Sequence, residues 1–225
     1  MENRIDNNQV KVSGRIVSCF EFSHEVYGEK FYSAKLASER LSGQIDVLPI
    51  LVSGKIVDVK KDWVGRFVEV SGQFRSYNQH TGDKSKLVLS VFAKEFKDIT
   101  EDKKGSDSLD DNEIILDGYI CKQPIYRKTP LGREISDILI AVNRSYGKTD
   151  YIPSLAWGRN ARFVSDLEVG TRLQITGRIQ SREYQKKISE GDFETRTAYE
   201  VSVSKIELVE VAEDDCNEAL EEKKG

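Results

Sequence analysis

The stretch Asp150-Tyr-Ile-Pro-Ser-Leu-Ala-Trp157-Gly-Arg-Asn-Ala-Arg-Phe-Val-Ser-Asp-Leu167-Glu-Val-Gly-Thr171-Arg-Leu-Gln-Ile-Thr-Gly-Arg-Ile-Gln-Ser-Arg-Glu-Tyr184 decides the fold. Successive side chains of an extended chain point to opposite faces. Tyr151, Pro153, Leu155 and Trp157 therefore share one face, and Ile152, Ser154 and Ala156 the other. Alternation gives way to a short helix at about residues 160–167 and returns from Thr171 to Tyr184. There Leu173, Ile175, Gly177 and Ile179 take one side, and Arg172, Gln174, Thr176, Arg178, Gln180, Arg182 and Tyr184 the other. One side closes a core; the other is polar, basic and ends on a ring.

Working outward, the same alternation predicts strands over 113–123, 134–144, 150–157, 171–184 and 194–207, with the helix between the third and fourth. The order β-β-β-α-β-β with long strands is that of the OB-fold, a five-stranded Greek-key barrel that binds oligonucleotides or oligosaccharides on its second and third strands. The position of the helix favours it over an SH3-like or a lipocalin-like barrel. The N-terminal half repeats the pattern at an offset of 104 residues. Gly14 falls on Gly118, Gly28 on Gly132, Ala37 on Ala141, Arg40 on Arg144, Asp46 on Asp150, Pro49 on Pro153 and Gly54 on Gly158, without a gap. The offset becomes 105 at Gly72 and Gly177 and 110 at Val91 and Val201, so the extra residues fall mainly in a turn, where a duplicated fold tolerates them. The expected architecture is all-β: two tandem OB-fold five-stranded barrels, each with one short helix. The boundaries are 8–97 for the N-terminal barrel with a degenerate binding face, 98–112 for an acidic linker, 113–209 for the C-terminal barrel and 210–225 for an acidic tail.

Charge follows this division. The 225 residues carry a net charge of -4, but Lys97–Glu113 has 3 basic and 7 acidic residues and Val209–Gly225 has 2 and 7, which leaves +5 for the two barrels. Basic blocks with acidic connectors permit a nucleic-acid partner without requiring one. Aromatic rings interleaved with cations are what an unpaired strand needs, because bases stack on rings and phosphates follow positive charge. Tyr146, Tyr151, Trp157 and Tyr184 are the candidate platform. Arg127, Lys128, Arg144, Lys148, Arg159, Arg178, Arg182, Lys186 and Lys187 are the candidate track. Any one ring is as consistent with a core or interface role; the set carries the argument.

The stretches Gly132–Tyr146, Asp150–Ala161 and Glu168–Tyr184 resemble the bacterial single-stranded DNA-binding protein (SSB) family, over about 118–208. In that family, rings that stack on bases lie at the end of the second strand, at both ends of the third and at the end of the fourth. The resemblance places Tyr146, Tyr151, Trp157 and Tyr184 there. At the matching positions of the first unit stand Ser42, Val47, Ser53 and approximately Gln79, so the platform is expected to be largely lost, with Phe22, Tyr27, Arg75 and Tyr77 as a secondary surface. Family assemblies of four OB-folds imply a homodimer of this two-unit chain. The family's acidic tip ends in apolar residues that recruit replication and repair enzymes. Here the chain ends Glu221-Glu-Lys-Lys-Gly225, which keeps open a primosomal or replisome accessory role built mainly on protein contacts.

An enzyme is not expected. The only histidines, His24 and His80, lie in the first unit, no Cys or His pair has zinc-ligand spacing, and no Gly-rich phosphate loop ending Gly-Lys-Ser/Thr occurs. No cofactor or metal is therefore expected. Three dispersed cysteines and an N-terminus without an apolar run point to a reducing cytoplasm, and no run approaches the ~20 apolar residues of a membrane span. The expected function is sequence-nonspecific binding and protection of single-stranded DNA in replication, repair and recombination. RNA meets the same stacking requirement, whereas an oligosaccharide leaves the basic track unexplained.

Overall fold

The computed structural model describes residues 7–81, 84–103, 110–188 and 192–209. The first half contributes β1 (Asn8–Ile16), β2 (Glu21–Val26), β3 (Glu29–Glu39), β4 (Ile45–Ser53), β5 (Phe67–Thr81) and β6 (Lys84–Asp98). The second contributes β7 (Asn112–Ile120), β8 (Ile125–Lys128), β9 (Glu134–Asn143), β10 (Thr149–Trp157), α1 (Gly158–Ser165), β11 (Arg172–Lys187) and β12 (Phe193–Leu208). They form one sheet in the order β2-β3-β4-β6-β5-β1-β7-β11-β12-β10-β9-β8, which closes into a barrel at each end through β1 with β3 and β7 with β9.

The predicted apolar faces line the two interiors. Leu173, Ile175 and Ile179 of β11 and Ile152 and Ala156 of β10 are buried, as are Leu48, Ile50 and Val52 of β4 and Val91 of β6. The repeat extends to irregularities: the ladder slips at Ser71/Gly72 in the first barrel and at Thr176/Gly177 in the second. Gly14 and Gly118 sit where the barrels close. A Cβ on them would lie 2.1 Å from the Ala37 carbonyl oxygen and 2.5 Å from that of Ala141, closer than any side chain permits.

Two features differ from expectation. Each half has a sixth strand, β2 or β8, exposed along its whole length and paired only with β3 or β9. A strand with no buried face has no alternation to read. Further, α1 has no counterpart in the first barrel. Residues 54–66 instead form turns in which the Asp58 carboxylate accepts from the Lys60 N–H (3.0 Å) and the Asp62 carboxylate from the Val64 N–H (3.1 Å). Such local bonds compete with helix. Ala161 and Val164 are the buried residues of α1 in one barrel; in the other, Val57 and Trp63 of these turns are buried, and Trp63 packs edge-on against Phe96 and donates its indole N–H to the Asp58 carbonyl.

The two barrels meet about an internal pseudo-two-fold axis. β1 and β7 pair antiparallel with Val10 opposite Ile114, two residues that the repeat equates. Around them two sets of contacts are made twice. Asn8 exchanges two hydrogen bonds of 2.8 Å with the Phe74 backbone, and Asn112 does the same with Ile179. Asp150 accepts from the Ser76 N–H (2.6 Å) while the Tyr151 N–H donates to Ser76 Oγ (2.8 Å); Asp46 accepts from the Ser181 N–H (2.8 Å) while the Val47 N–H donates to Ser181 Oγ (3.1 Å). Each barrel thus reaches across with one fully buried aspartate.

The two aspartates are not equally supported. Asp46 takes a two-pronged guanidinium from Arg40 (2.6 and 2.8 Å) and a second from Arg178, whereas Asp150 pairs with Arg144 at 3.1 Å and feels the charge of Arg75 as well. Burial pushes the Asp150 carboxyl above the ordinary carboxylate range, against the opposing pull of the Ser76 N–H, Arg144 and Arg75. A carboxyl raised in this way binds its proton more tightly in the folded chain. Its contribution to stability is therefore most favourable below about pH 4, the unfolded value, and declines as pH rises through the folded pKa. Asp150→Asn keeps an oxygen for Ser76 and is expected to cost no more than about 1 kcal/mol at pH 7, while flattening the pH dependence of stability above pH 4. Urea titrations at several pH values check this.

Candidate nucleic-acid interface

Trp157 ends β10 on its outward face. Half-buried, it donates its indole N–H to Ser202 Oγ on β12 (3.1 Å), which fixes the ring against the sheet. Around it lies a groove of about 380 Å³, floored by Ile135, Leu155 and Gln180 and edged by Arg127, Thr129, Arg182 and Glu200. The far wall comes from the first barrel, through Arg40 and Gln44 of the turn between β3 and β4. That wall follows from the Asp46 and Val47 contacts with Ser181, which bring the turn against β11.

The other rings spread outward from this point. Tyr184, 38% exposed, stands farther along β11, with the Arg182 guanidinium 6.0 Å from its ring centre. Tyr151, 43% exposed, is at the opposite end of β10, six residues or about 20 Å of strand from Trp157. Its backbone bond to Ser76 sets it beside β5 of the first barrel. Tyr146 belongs to a 3-10 turn at Ser145–Gly147, and its side chain lies outside the described residues. The structure thus brings Trp157 and Tyr184 onto the second barrel's own face and sets Tyr151 at the junction with the first.

The expected track divides as well. Lys128, Lys148, Arg159, Lys186 and Lys187 are exposed. Arg182 is exposed beside Glu200, at 3.7 Å. Arg127 lines the groove in a two-pronged pair with Asp137 (2.7 and 3.1 Å), which raises its pKa and keeps it charged. Arg144 and Arg178 have a different task from the one expected: they neutralise Asp150 and Asp46 at the barrel junction. Burial lowers the Arg178 pKa, a sign that its charge is partly withdrawn from water. The polarity of their strand positions was legible, but the aspartate partner of Arg178 is 132 residues away.

Arg40, Gln44 and Glu200 are groove residues that the sequence reading passed over. The repeat does equate Arg40 with Arg144, but nothing in that match shows the first barrel forming a wall of the second barrel's groove. Glu200 is nearly buried and accepts from the Gln180 amide (2.7 Å), so the groove holds a negative as well as positive groups. The ends of the acidic linker are docked rather than solvated. Ile99 is buried, Lys103 pairs with Asp110 at 3.1 Å, and the Asp111 N–H donates to Ser13 Oγ (2.7 Å). The acidic tail from residue 210 lies outside the described residues.

Residues 111–209 match the single-strand binding protein family. That match spans the second barrel. Single-stranded DNA-binding protein A of Bacillus subtilis (strain 168) is 29% identical over 106 residues, 44% of this chain and 59% of that protein. Single-stranded DNA-binding protein 1 of Staphylococcus aureus (strain COL) is 32% identical over 83 residues, 34% of this chain and 50% of that protein. The chain thus spans about half of the length of these curated relatives. The crystal structure of wild-type single-stranded DNA binding protein from Thermus aquaticus superimposes with a TM-score of 0.70 over 91% of this chain and 94% of that one. At 20% identity that likeness is one of fold, and it extends over both barrels. No helix among the described residues is long and apolar enough to cross a membrane.

Proposed function

We propose that the protein binds single-stranded DNA with little regard to sequence and coats it during replication, repair and recombination, as a non-catalytic protein of a reducing cytoplasm. The observation that carries this reading is Trp157, an indole held by Ser202 in an open groove with Arg127 and Arg182 on its edge. The names of the relatives and the family match of the second barrel support it. Bases lie over Trp157 and Tyr184, and phosphates meet Arg127, Lys128, Arg159, Arg182, Lys186 and Lys187. Tyr146, Lys148 and Tyr151 serve a strand that continues toward the first barrel. Arg144 and Arg178 act indirectly, by holding the barrels in place. Two chains together would supply four such barrels, the number that the resemblance implies.

Stacking is worth about 1–3 kcal/mol per base. Trp157→Ala with Tyr184→Ala is therefore expected to weaken binding to oligo-dT by roughly 30-fold or more, read by titration of a labelled strand. Each phosphate contact removed from the track flattens the dependence of log affinity on log salt by about 0.7, so Lys186→Gln with Lys187→Gln should lower the slope by about 1.4. Equal lengths of single-stranded DNA, duplex and single-stranded RNA at two salt concentrations complete the test. Equal affinity for duplex, or an unchanged affinity in the double ring variant, overturns the reading. Weak binding together with a stable protein complex would favour the accessory role.

A further inference from the structure

The outward face of the first barrel is expected to have lost its platform, because Ser53 stands where the repeat places Trp157. The neighbouring strands show a rearrangement instead. In the second barrel the row across the face reads Ile135 on β9, Trp157 on β10 and Ser202 on β12, linked by the pairings of Ile135 with Trp157 and Leu155 with Ser202. The same row of the first barrel reads Phe31 on β3, Ser53 on β4 and Phe92 on β6, linked by the pairings of Phe31 with Ser53 and Leu51 with Phe92. One central ring has been exchanged for two flanking rings. Phe31 and Phe92 close over the small Ser53 with their centres 5.8 Å apart, leaving it buried.

The row continues on both sides with planar groups. His24 of β2 stacks on Phe31 at 5.0 Å and 15°, and the Arg75 guanidinium carbon of β5 lies 3.7 Å from the Phe92 ring centre. Beyond Arg75 on the same side of β5 stands Tyr77, which is exposed, while Ser76 between them is buried on the other side and bonds the Tyr151 backbone. Lys35 and Lys94 are exposed on the same sides of β3 and β6 as the two phenylalanines, and Glu29 is matched by Lys55 and Ser53. A column of flat groups that includes a guanidinium, with cations along it, fits the faces of unpaired bases and the phosphates between them.

We propose that His24, Phe31, Phe92 and Arg75 form a second stacking surface for bases of single-stranded DNA, shifted one strand to either side of the position that Trp157 holds in the other barrel. This rests on the proposed function. The strand leaves the Trp157 groove by way of Tyr151 and crosses to the first barrel at Arg75. The two barrels therefore share one bound strand but read it with rings on different strands of the fold.

The test uses the full chain, Phe31→Leu with Phe92→Leu, and oligo-dT of about 8 and about 35 nucleotides, one barrel's share and more than two. Leucine keeps Ser53 covered, and buried emission from Trp63 shows that the first barrel stays folded. The double variant should bind the long strand at least tenfold more weakly and occlude about half as many nucleotides, while the short strand still quenches Trp157 as in the unchanged protein. Arg75→Gln, which leaves the apolar cover intact, should weaken long-strand binding in the same direction. Unchanged long-strand affinity and occlusion in both variants overturn the second surface. Absence of Trp157 quenching by either strand in the unchanged protein would overturn the proposed function instead, so the two failures are distinct.

Discussion

Asp46→Ala is expected to destabilise the protein by about 3–5 kcal/mol, the usual range when one partner of a buried ion pair is removed and the other stays behind. Four groups depend on this carboxylate: the Arg40 guanidinium, the Arg178 guanidinium, the Ser181 N–H and the Ser181 hydroxyl. Arg40 and Arg178 are 18% and 30% exposed, so neither fully regains water when the carboxylate is lost. Burial already presses on the Arg178 charge. The loss is local to the junction, and urea unfolding should therefore change shape as well as midpoint. A single transition gives way to two, with Trp63 reporting the first barrel and Trp157 the second. Retention of one transition with a loss under 1 kcal/mol would show that the junction holds without this aspartate. The milder outcome expected for Asp150→Asn makes the pair of variants a comparison between two halves of one pseudo-symmetric arrangement.

Gly118→Val should be at least as damaging. The seam that closes the second barrel brings β7 so near β9 that a Cβ would sit 2.5 Å from the Ala141 carbonyl oxygen and 2.8 Å from the Ile140 side chain. A backbone carbonyl in a ladder has nowhere to move, and overpacking of this kind costs about 3 kcal/mol or more. Gly14→Val meets the Ala37 carbonyl at 2.1 Å and should do the same to the first barrel. Each variant is expected to expose its own tryptophan, Trp63 for Gly14→Val and Trp157 for Gly118→Val, in thermal unfolding followed by fluorescence. A variant with an unshifted midpoint would mean that the seam opens freely.

Much of this architecture was legible because alternation and repetition survive in the chain. The alternation of Leu173, Ile175 and Ile179 with polar neighbours marks an inner face, and that face is buried. Gly14 with Gly118 and Gly72 with Gly177 align because closure and bulge occur twice. What escaped was of two kinds. β2 and β8 carry no buried face, so periodicity has no hold on them. Other features depend on residues that meet only in three dimensions. Arg178 looks like one more exposed cation of β11 until Asp46, from the other barrel, is beside it.

The candidate site shows the same limit. Comparing columns of the repeat at one offset finds Ser53 opposite Trp157 and stops there. Phe31 aligns with Ile135 at an offset of 104 and Phe92 with Ser202 at 110, so the two rings fall in different registers of the comparison and come together only through the pairings of β3, β4 and β6. Trp63 escaped for a related reason, since its burial rests on Phe96 and on the Asp58 carbonyl, which no periodicity along the turns brings together.

The pairing of β1 with β7 joins two halves of a single polypeptide. An interface between separate molecules empties as they become scarce, but a tethered one sees the same local concentration however few copies are present. Both faces are therefore available on the first molecule made. Tethering also frees the halves from having to be identical: a side chain altered on one face is not duplicated on the other, which is the condition under which Trp157 and the Phe31–Phe92 pair can specialise apart.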